Sequence, residues 1–324
     1  MLTLAILVVS LVASVPIRVV SPLSAYGITF TPGRTLRTGD ATAAGLRPER
    51  LARLTADLAA YLDPTPDHPG HPAYPGAVVL AARNSVVALH VAVGSAVRYA
   101  ESGGKLVDLP PGERVPMRVD TIFDVASLTK LFTTVAVLRE VDRGRLGLDD
   151  PVARYLPGFA ANGKATVTVR HLLTHTGGLV EDVDLRAYGN RADALAAALA
   201  APIEPGLRPG GQFHYSDVGL IVAGALVERV TGRRLDEVVR AGITGPLGMR
   251  DTGYLPATAS RDRIAATEYR PGAGILRGVA HDENVAPLDG VAGHAGMFST
   301  ARDLAVFCQM LLDGGRYGDV RILR

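Results

Sequence analysis

The sequence predicts a mixed α/β fold of the α+β type, an antiparallel sheet flanked by helices together with an all-α subdomain. Two β-rich runs, residues 76–82 and 86–94, are separated only by Arg83-Asn84-Ser85, the pattern of an antiparallel hairpin. Helical periodicity then dominates residues 168–240, before short strand-like segments return. This order indicates a sheet that carries a helical subdomain as an insert.

The amino-terminal 25 residues are expected to form a signal peptide or membrane anchor. The first 17 carry no charged side chain, and the run suits a signal-peptide core better than a spanning helix of about 20 apolar residues. We therefore expect an extracytoplasmic protein, secreted or tethered to the membrane by this segment; a misplaced start codon or an apolar arm is the alternative. Residues 26–46 are rich in Ser, Pro, Gly and Thr and are expected to be a linker.

The globular domain is expected to span residues 47–324. Leucines recur at helical spacing between Pro48 and Leu62, which predicts an amphipathic helix followed by a Pro- and His-rich loop as far as Pro75. After the hairpin, further helices are expected at residues 127–140, 169–174, 192–200, 217–231 and 303–312. Residues 252–290 should mix loops with short strands.

Composition excludes several classes of protein. Hydrophobic residues make up 48% and charged residues 20% of the 324, as is usual for a globular chain. The formal net charge of +2 is small and the basic residues are dispersed, so no nucleic-acid partner is expected. The single cysteine, Cys308, excludes an internal disulfide and is expected to pack inside a buried helix.

Lysine usage draws attention to one residue. Only three of the 34 basic side chains are lysines, and Lys105 and Lys164 lie beside glycines in polar stretches where exposure is expected. Lys130 instead lies in the apolar segment 123–132, three residues after Ser127 and so on the same helix face. A buried lysine can lose its proton, whereas arginine stays charged. The pair is therefore a candidate nucleophile with its activator.

A second candidate segment is His214-Tyr215-Ser216-Asp217. Tyr215 and Asp217 place a phenol and a carboxylate at one rim, just before a predicted helix. Each residue also has a purely structural interpretation. Asp217 could cap the helix, and Tyr215 could be half-buried with its hydroxyl hydrogen-bonded.

Histidine-containing segments do not predict a metal site. His68 and His71 lack nearby carboxylate or cysteine partners at ligand spacing, and His171 and His175 lack the glutamate of an H-E-x-x-H pattern. The run His281-Asp282-Glu283 is polar enough to line a site or bind a cation, but it is expected to be a solvated loop. We therefore expect no metal ion.

These segments together resemble the serine β-lactamase/penicillin-binding-protein superfamily, in its class C-like branch of lactamases, D-Ala-D-Ala peptidases and esterases. The resemblance covers about residues 47–324, and the 88-residue step from Ser127 to Tyr215 is similar to the family's. Further family-like blocks are residues 123–157, 169–179, 246–249 and 293–304. The resemblance implies a β-lactamase/transpeptidase-like fold.

The resemblance also implies roles for individual residues. Ser127 would be the acylated nucleophile, Lys130 the amine that helps to remove its proton, and Tyr215 the phenol that relays the proton to the leaving group. Asp217 would be a substrate-binding residue at a position often occupied by asparagine in the family. A carboxylate there would repel a carboxylate-bearing substrate, which makes β-lactam hydrolysis less expected.

The third motif of this superfamily is a strand reading Lys/His-x-Gly. His294-Ala295-Gly296 fits the pattern, but it comes only 79 residues after Tyr215 and leads directly into a predicted helix. The resemblance places the third motif later in the chain, so we expect His294 to have a structural or supporting role. The motif is then expected beyond Arg324, and the domain is expected to lack its C-terminal strands.

The sequence therefore predicts a serine hydrolase that forms an acyl-enzyme on an amide or ester, without a cofactor. The resemblance implies a cell-wall D-amino-acid peptide, a β-lactam or a simple ester as substrate. The alternative is a catalytically impaired protein that binds cell-wall peptide, or a fragment lacking the third motif. A helix-rich scaffold with a coincidental Ser-x-x-Lys is a third interpretation.

Overall fold

A computed structural model describes residues 33–324. The expected signal or anchor segment, 1–25, and residues 26–32 of the expected linker lie outside the described residues. The α-helices are α1 (Pro48–Ala60), α2 (Thr129–Asp142), α3 (Val169–Leu173), α4 (Arg191–Ala200), α5 (Asp217–Thr231), α6 (Leu235–Val239) and α7 (Ala301–Leu312). Within residues 33–324, no helix is long and apolar enough to cross a membrane.

The strands are mostly short. They are β1 (Arg37–Thr38), β2 (Pro64–Thr65), β3 (His68–Pro72), β4 (Gly76–Arg83), β5 (Val86–Val97), β6 (Tyr99–Ser102), β7 (Lys105–Asp108), β8 (Val115–Pro116), β9 (Phe123–Asp124), β10 (Gly253–Tyr254), β11 (Tyr269–Arg270), β12 (Gly274–Ile275), β13 (Met297–Ser299), β14 (Arg316–Tyr317) and β15 (Val320–Arg321). The prediction of short strands mixed with loops in residues 252–290 is confirmed.

The largest sheet is built on the predicted hairpin. Strands β4 and β5 pair antiparallel from Gly76 opposite Gly94 to Arg83 opposite Val86. The turn residues Asn84 and Ser85 have φ angles of 52° and 61°, the left-handed backbone that a two-residue hairpin of type I′ requires. β8 pairs antiparallel with the far end of β5, while β1 pairs parallel with its beginning.

Part of the expected linker is an ordered piece of this sheet. β1 lies within residues 26–46, and the neighbouring Leu36 and Ala44 are buried. The prediction of a linker is therefore wrong for this portion. A two-residue strand is too short to show an alternating pattern, so its pairing depends on the edge that β5 offers.

The helical layer is centred on α5. Residues Val218–Val227 are buried, in keeping with a helix that is apolar all round. α2 packs against it and buries Phe132, whose ring stacks on Phe307 of α7 with centroids 4.2 Å apart. The predicted helices at 169–174, 192–200, 217–231 and 303–312 are all present, with ends shifted by no more than two residues.

A small antiparallel sheet positions the segments that carry the candidate site. In the order β10-β13-β9, Phe298 lies opposite Asp124, which brings β13 beside the strand that leads to Ser127. The chain just before β13 packs closely against α5. A Cβ atom added to Gly293 would lie only 2.0 Å from the Leu220 carbonyl oxygen. Only glycine permits this approach. Thr133 of α2 donates a hydrogen bond of 2.8 Å to the Gly293 carbonyl and fixes the segment further.

Three local predictions are wrong. The Pro- and His-rich loop 63–75 contains the β2–β3 pair, although prolines weaken any strand pattern there. Lys164 is fully buried, and burial lowers its pKa; its ammonium donates to the Ala161 carbonyl and lies 5.2 Å from the Phe159 ring centroid. Cys308 does lie on α7 but on its exposed side, since the helix buries Phe307 and Met310 instead.

Candidate active site

Ser127 is exposed in a tight turn before α2. The turn spans Ala126–Leu128, and Ala126 has a φ of 44°, a conformation that costs free energy for a residue with a Cβ. Asp124 holds the turn by accepting hydrogen bonds from the backbone N–H groups of Ala126 (2.8 Å) and His281 (2.7 Å). Burial raises the pKa of Asp124. No sequence pattern predicts this anchoring role of Asp124.

The structure brings three of the predicted residues together. Lys130 Nζ lies 2.8 Å from Ser127 Oγ, and the Tyr215 hydroxyl lies 2.9 Å from the same oxygen. The spacing of three residues on a helical segment explains the first contact, while the second joins residues 88 apart in sequence. Both contacts are within the reach needed for proton transfer. The catalytic roles of the three residues remain predictions.

Lys130 is buried and surrounded by oxygen atoms. Besides Ser127, its Nζ contacts the His294 carbonyl oxygen at 3.0 Å and Asp217 Oδ1 at 2.7 Å. The contacts to Ser127 and His294 are hydrogen bonds, whereas Asp217 Oδ1 lies close to Nζ without hydrogen-bond geometry. The amine of Lys130 therefore lies between the proposed nucleophile and a carboxylate.

His175 positions Tyr215. Their rings stack with centroids 4.7 Å apart at 20°, and His175 Nδ1 accepts a hydrogen bond of 3.0 Å from the Ser216 N–H. Burial, followed by the charge of Lys130, lowers the pKa of His175 below 6.5. The ring is therefore neutral at pH 7, with its proton on Nε2. Sequence reasoning treated His175 only as a weak metal candidate with His171, whose Nδ1 instead accepts from the Thr168 N–H.

A group of polar side chains behind Lys130 was also missed. Asp282 lies 3.2 Å from the imidazole of His294, and Asn284 donates to Asp182 at 2.9 Å. Burial opposes the charged form of Asp282, but His294 and the Asn284 N–H outweigh it and lower the pKa of Asp282. Burial raises the pKa of Asp182, with Asp217 adding to the effect. The prediction of a wholly solvated loop at 281–283 is therefore wrong for Asp282.

The side chain of His294 does not face Ser127. Its imidazole is fully buried, and only its backbone carbonyl contacts Lys130. This placement agrees with the supporting role expected for His294 and not with direct contact to a substrate.

Comparison with known proteins identifies the family. Residues 43–323 match the sequence model of the family described as Beta-lactamase, which is most of the chain. The chain belongs to the beta-lactamase family. A relative from Escherichia coli (strain K12), provisionally named a D-alanyl-D-alanine carboxypeptidase, is 34% identical over 282 residues. The alignment covers 77% of this chain and 62% of the relative, so the chain spans less than two thirds of that relative's length.

Solved structures show the same fold. A class C beta-lactamase from Rhodobacter sphaeroides matches with a TM-score of 0.57 and 24% identity, over 73% of this chain and 60% of the other. The octameric penicillin-binding protein homologue from Pyrococcus abyssi matches with a TM-score of 0.62 and 21% identity, over 85% and 57%. The resemblance and the predicted fold class are thus confirmed for this beta-lactamase-family chain.

Proposed function

We propose that this chain is a serine hydrolase that forms an acyl-enzyme on an amide or ester through Ser127. The observation that carries the proposal is an exposed serine hydroxyl within 2.8 Å of the Lys130 amine and 2.9 Å of the Tyr215 phenol. Membership of the beta-lactamase family supports a hydrolase, and the name of the E. coli relative supports a cell-wall D-amino-acid peptide as one substrate class.

The first chemical step is attack by Ser127 Oγ on the carbonyl carbon of the substrate. The serine proton passes to Lys130 or Tyr215, so one of these groups must have given up a proton beforehand. Asp217, 2.7 Å from the lysine, is the nearest group that can hold that proton. The C–N or C–O bond to the leaving group then breaks, and Tyr215 returns a proton to the departing amine or alkoxide. Water completes the cycle by hydrolysing the acyl-enzyme.

The charges around the site bear on the substrate. Asp217 and Asp282 put two carboxylates beside the reaction centre, and their ligand atoms lie within 4.8 Å of each other. A substrate carboxylate placed next to Asp217 would be repelled. Among the three candidate classes, this favours neutral esters over β-lactams and over peptides whose terminal carboxylate would lie next to Asp217.

An extracytoplasmic location is part of the proposal. It is supported by the uncharged, apolar start of the sequence and by the cell-wall substrate class that the E. coli relative's name suggests.

The Asp217–Lys130 ion pair favours a second candidate, a protein that binds cell-wall peptide with impaired catalysis. An amine in contact with a carboxylate is less available to take the serine proton, so this candidate predicts slow acylation or no turnover.

The test is labelling and turnover in parallel. Wild-type protein and Ser127→Ala are incubated with a fluorescent penicillin, a fluorophosphonate, a D-Ala-D-Ala peptide and a neutral nitrophenyl ester. The proposal expects a Ser127-dependent adduct and Ser127-dependent hydrolysis of at least one substrate. A Ser127-dependent adduct without turnover would support the binding protein, and no such adduct would exclude both acylating functions.

A further inference from the structure

A buried histidine without hydrogen bonds lies beside the two site carboxylates. The side chain of His294 is fully buried, and among the described residues neither of its ring nitrogens has a hydrogen-bond partner. Leaving both nitrogens unpaired in the interior costs free energy. Such a group indicates a partner that the protein itself does not supply.

The geometry around His294 points to a shared centre. Its Nε2 lies 3.2 Å from Asp282 Oδ1, a contact close enough to lower the pKa of Asp282 but outside hydrogen-bond geometry. One ligand atom each from Asp217, Asp282 and His294 lies within 4.8 Å of the other two. The ligand atoms around a metal ion are also close together without pointing at one another, and these three atoms share that arrangement.

We propose that Asp217, Asp282 and His294 form a binding site for a divalent transition-metal ion of the Zn²⁺ type. Bond lengths of about 2.1 Å place three ligand atoms about 3.4 to 3.6 Å from one another around one ion, so a pair at the 4.8 Å limit of this cluster would have to close by about 1.2 Å. Two carboxylates neutralise the charge of the ion, and the imidazole favours Zn²⁺ over Mg²⁺ or Ca²⁺. Water would complete the coordination. The inference revises the sequence-based expectation of no metal ion.

The site overlaps with the environment of Lys130. The ion would take Asp217 from the ammonium, 2.7 Å away, and would hold the imidazole of His294, whose carbonyl also contacts Lys130. Metal and ammonium therefore compete for one carboxylate. Removing the positive charge of Lys130 should tighten metal binding, because a competitor and a repulsive charge disappear together. This expectation concerns binding only and does not depend on the proposed hydrolase activity.

The test is titration of the purified protein with Zn²⁺ by calorimetry, and with Co²⁺ by visible absorption. All proteins carry His68→Gln and His71→Gln, because those two rings lie 5.5 Å apart and could bind metal by themselves. The matched variants are His294→Gln, Asp282→Asn and Lys130→Met. His281→Gln is the control, because it removes an exposed histidine one residue from Asp282 that is not part of the cluster.

The proposal expects one Zn²⁺ per chain in the parent protein. His294→Gln and Asp282→Asn should each weaken binding by at least about 100-fold, as befits loss of a direct ligand. Lys130→Met should tighten it by about tenfold or more, and His281→Gln should leave it unchanged. Because Asp282 is partly exposed, its variant remains informative if His294→Gln does not fold. Absence of binding at millimolar Zn²⁺, or binding that Asp282→Asn leaves unchanged, would overturn the proposal.

Discussion

Replacing Asp217 with asparagine should change which substrates acylate Ser127. Asp217 Oδ1 contacts Lys130 Nζ at 2.7 Å, and Nζ contacts Ser127 Oγ at 2.8 Å. The carboxylate is therefore within about 5.5 Å of the nucleophile, and we take a separation of about 8 Å between it and a carboxylate on the substrate to work out the repulsion. At that distance two negative charges repel by about 1–2 kcal/mol for an effective dielectric constant between about 40 and 20. The corresponding rate difference is about 5- to 30-fold.

The assay compares two probes on the same proteins. Second-order rates of Ser127 acylation are measured with a penicillin, which carries a carboxylate, and with a neutral nitrophenyl ester. If the substitution alters how well Lys130 activates Ser127, the acylation rates with both probes change together. The ratio of the two rates therefore isolates the repulsion by Asp217. Asp217→Asn should raise the penicillin-to-ester ratio by about 5- to 30-fold. Asp319→Asn, at an exposed carboxylate on the turn between β14 and β15, serves as control and should leave the ratio unchanged.

A ratio that stays constant in Asp217→Asn would refute the electrostatic reasoning. A lower ratio would show that the carboxylate helps to bind the penicillin, opposite to the repulsion expected here. Thermal unfolding of both variants should accompany the rates, because Asp217 also begins α5, where a negative charge stabilises the helix by about 0.3–1 kcal/mol.

Three further predictions concern the residues around the nucleophile. Lys130→Met should slow acylation by about 10²- to 10⁴-fold, whereas Lys164→Met, which removes another buried lysine, should leave the rate of probe labelling unchanged. Because the pKa of His175 is lowered in the fold, the wild type should lose stability as the pH falls below 6.5. His175→Phe should show a smaller loss in urea titrations between pH 5 and pH 8, the remainder coming from His90, whose pKa is also lowered by burial; a pH dependence equal to that of the wild type would contradict it. Phe132→Ala should lower the free energy of unfolding by about 3–5 kcal/mol in urea, and a cost below 1 kcal/mol would disprove the packing argument.

Sequence reasoning succeeded where the signal is local. The β4–β5 hairpin, the long helix α5 and the Ser127–Lys130 pair each depend on patterns within about 20 residues. The placement of Tyr215 beside Ser127 came from the family resemblance, since no local pattern joins residues that far apart.

The supporting residues could not be predicted because they depend on long-range pairing. Asp124 and His281 meet across 157 residues of sequence, and Asp124 lies on β9, a two-residue strand that carries no period of its own. Likewise, the burial of Lys164 depends on how separate turns fold back on it, which its polar neighbours in sequence do not show. Asp282 was assigned to solvent from composition alone, and only the tertiary fold brings it against His294.

Whether Ser127 is the nucleophile can be tested by peptide mapping. The protein is incubated with a fluorophosphonate or with penicillin, and its peptides are then analysed by mass spectrometry. We expect a covalent adduct on the peptide that contains Ser127. This adduct should be absent in Ser127→Ala and strongly reduced in Lys130→Met. An adduct on another residue, or labelling that persists in Ser127→Ala, would contradict it.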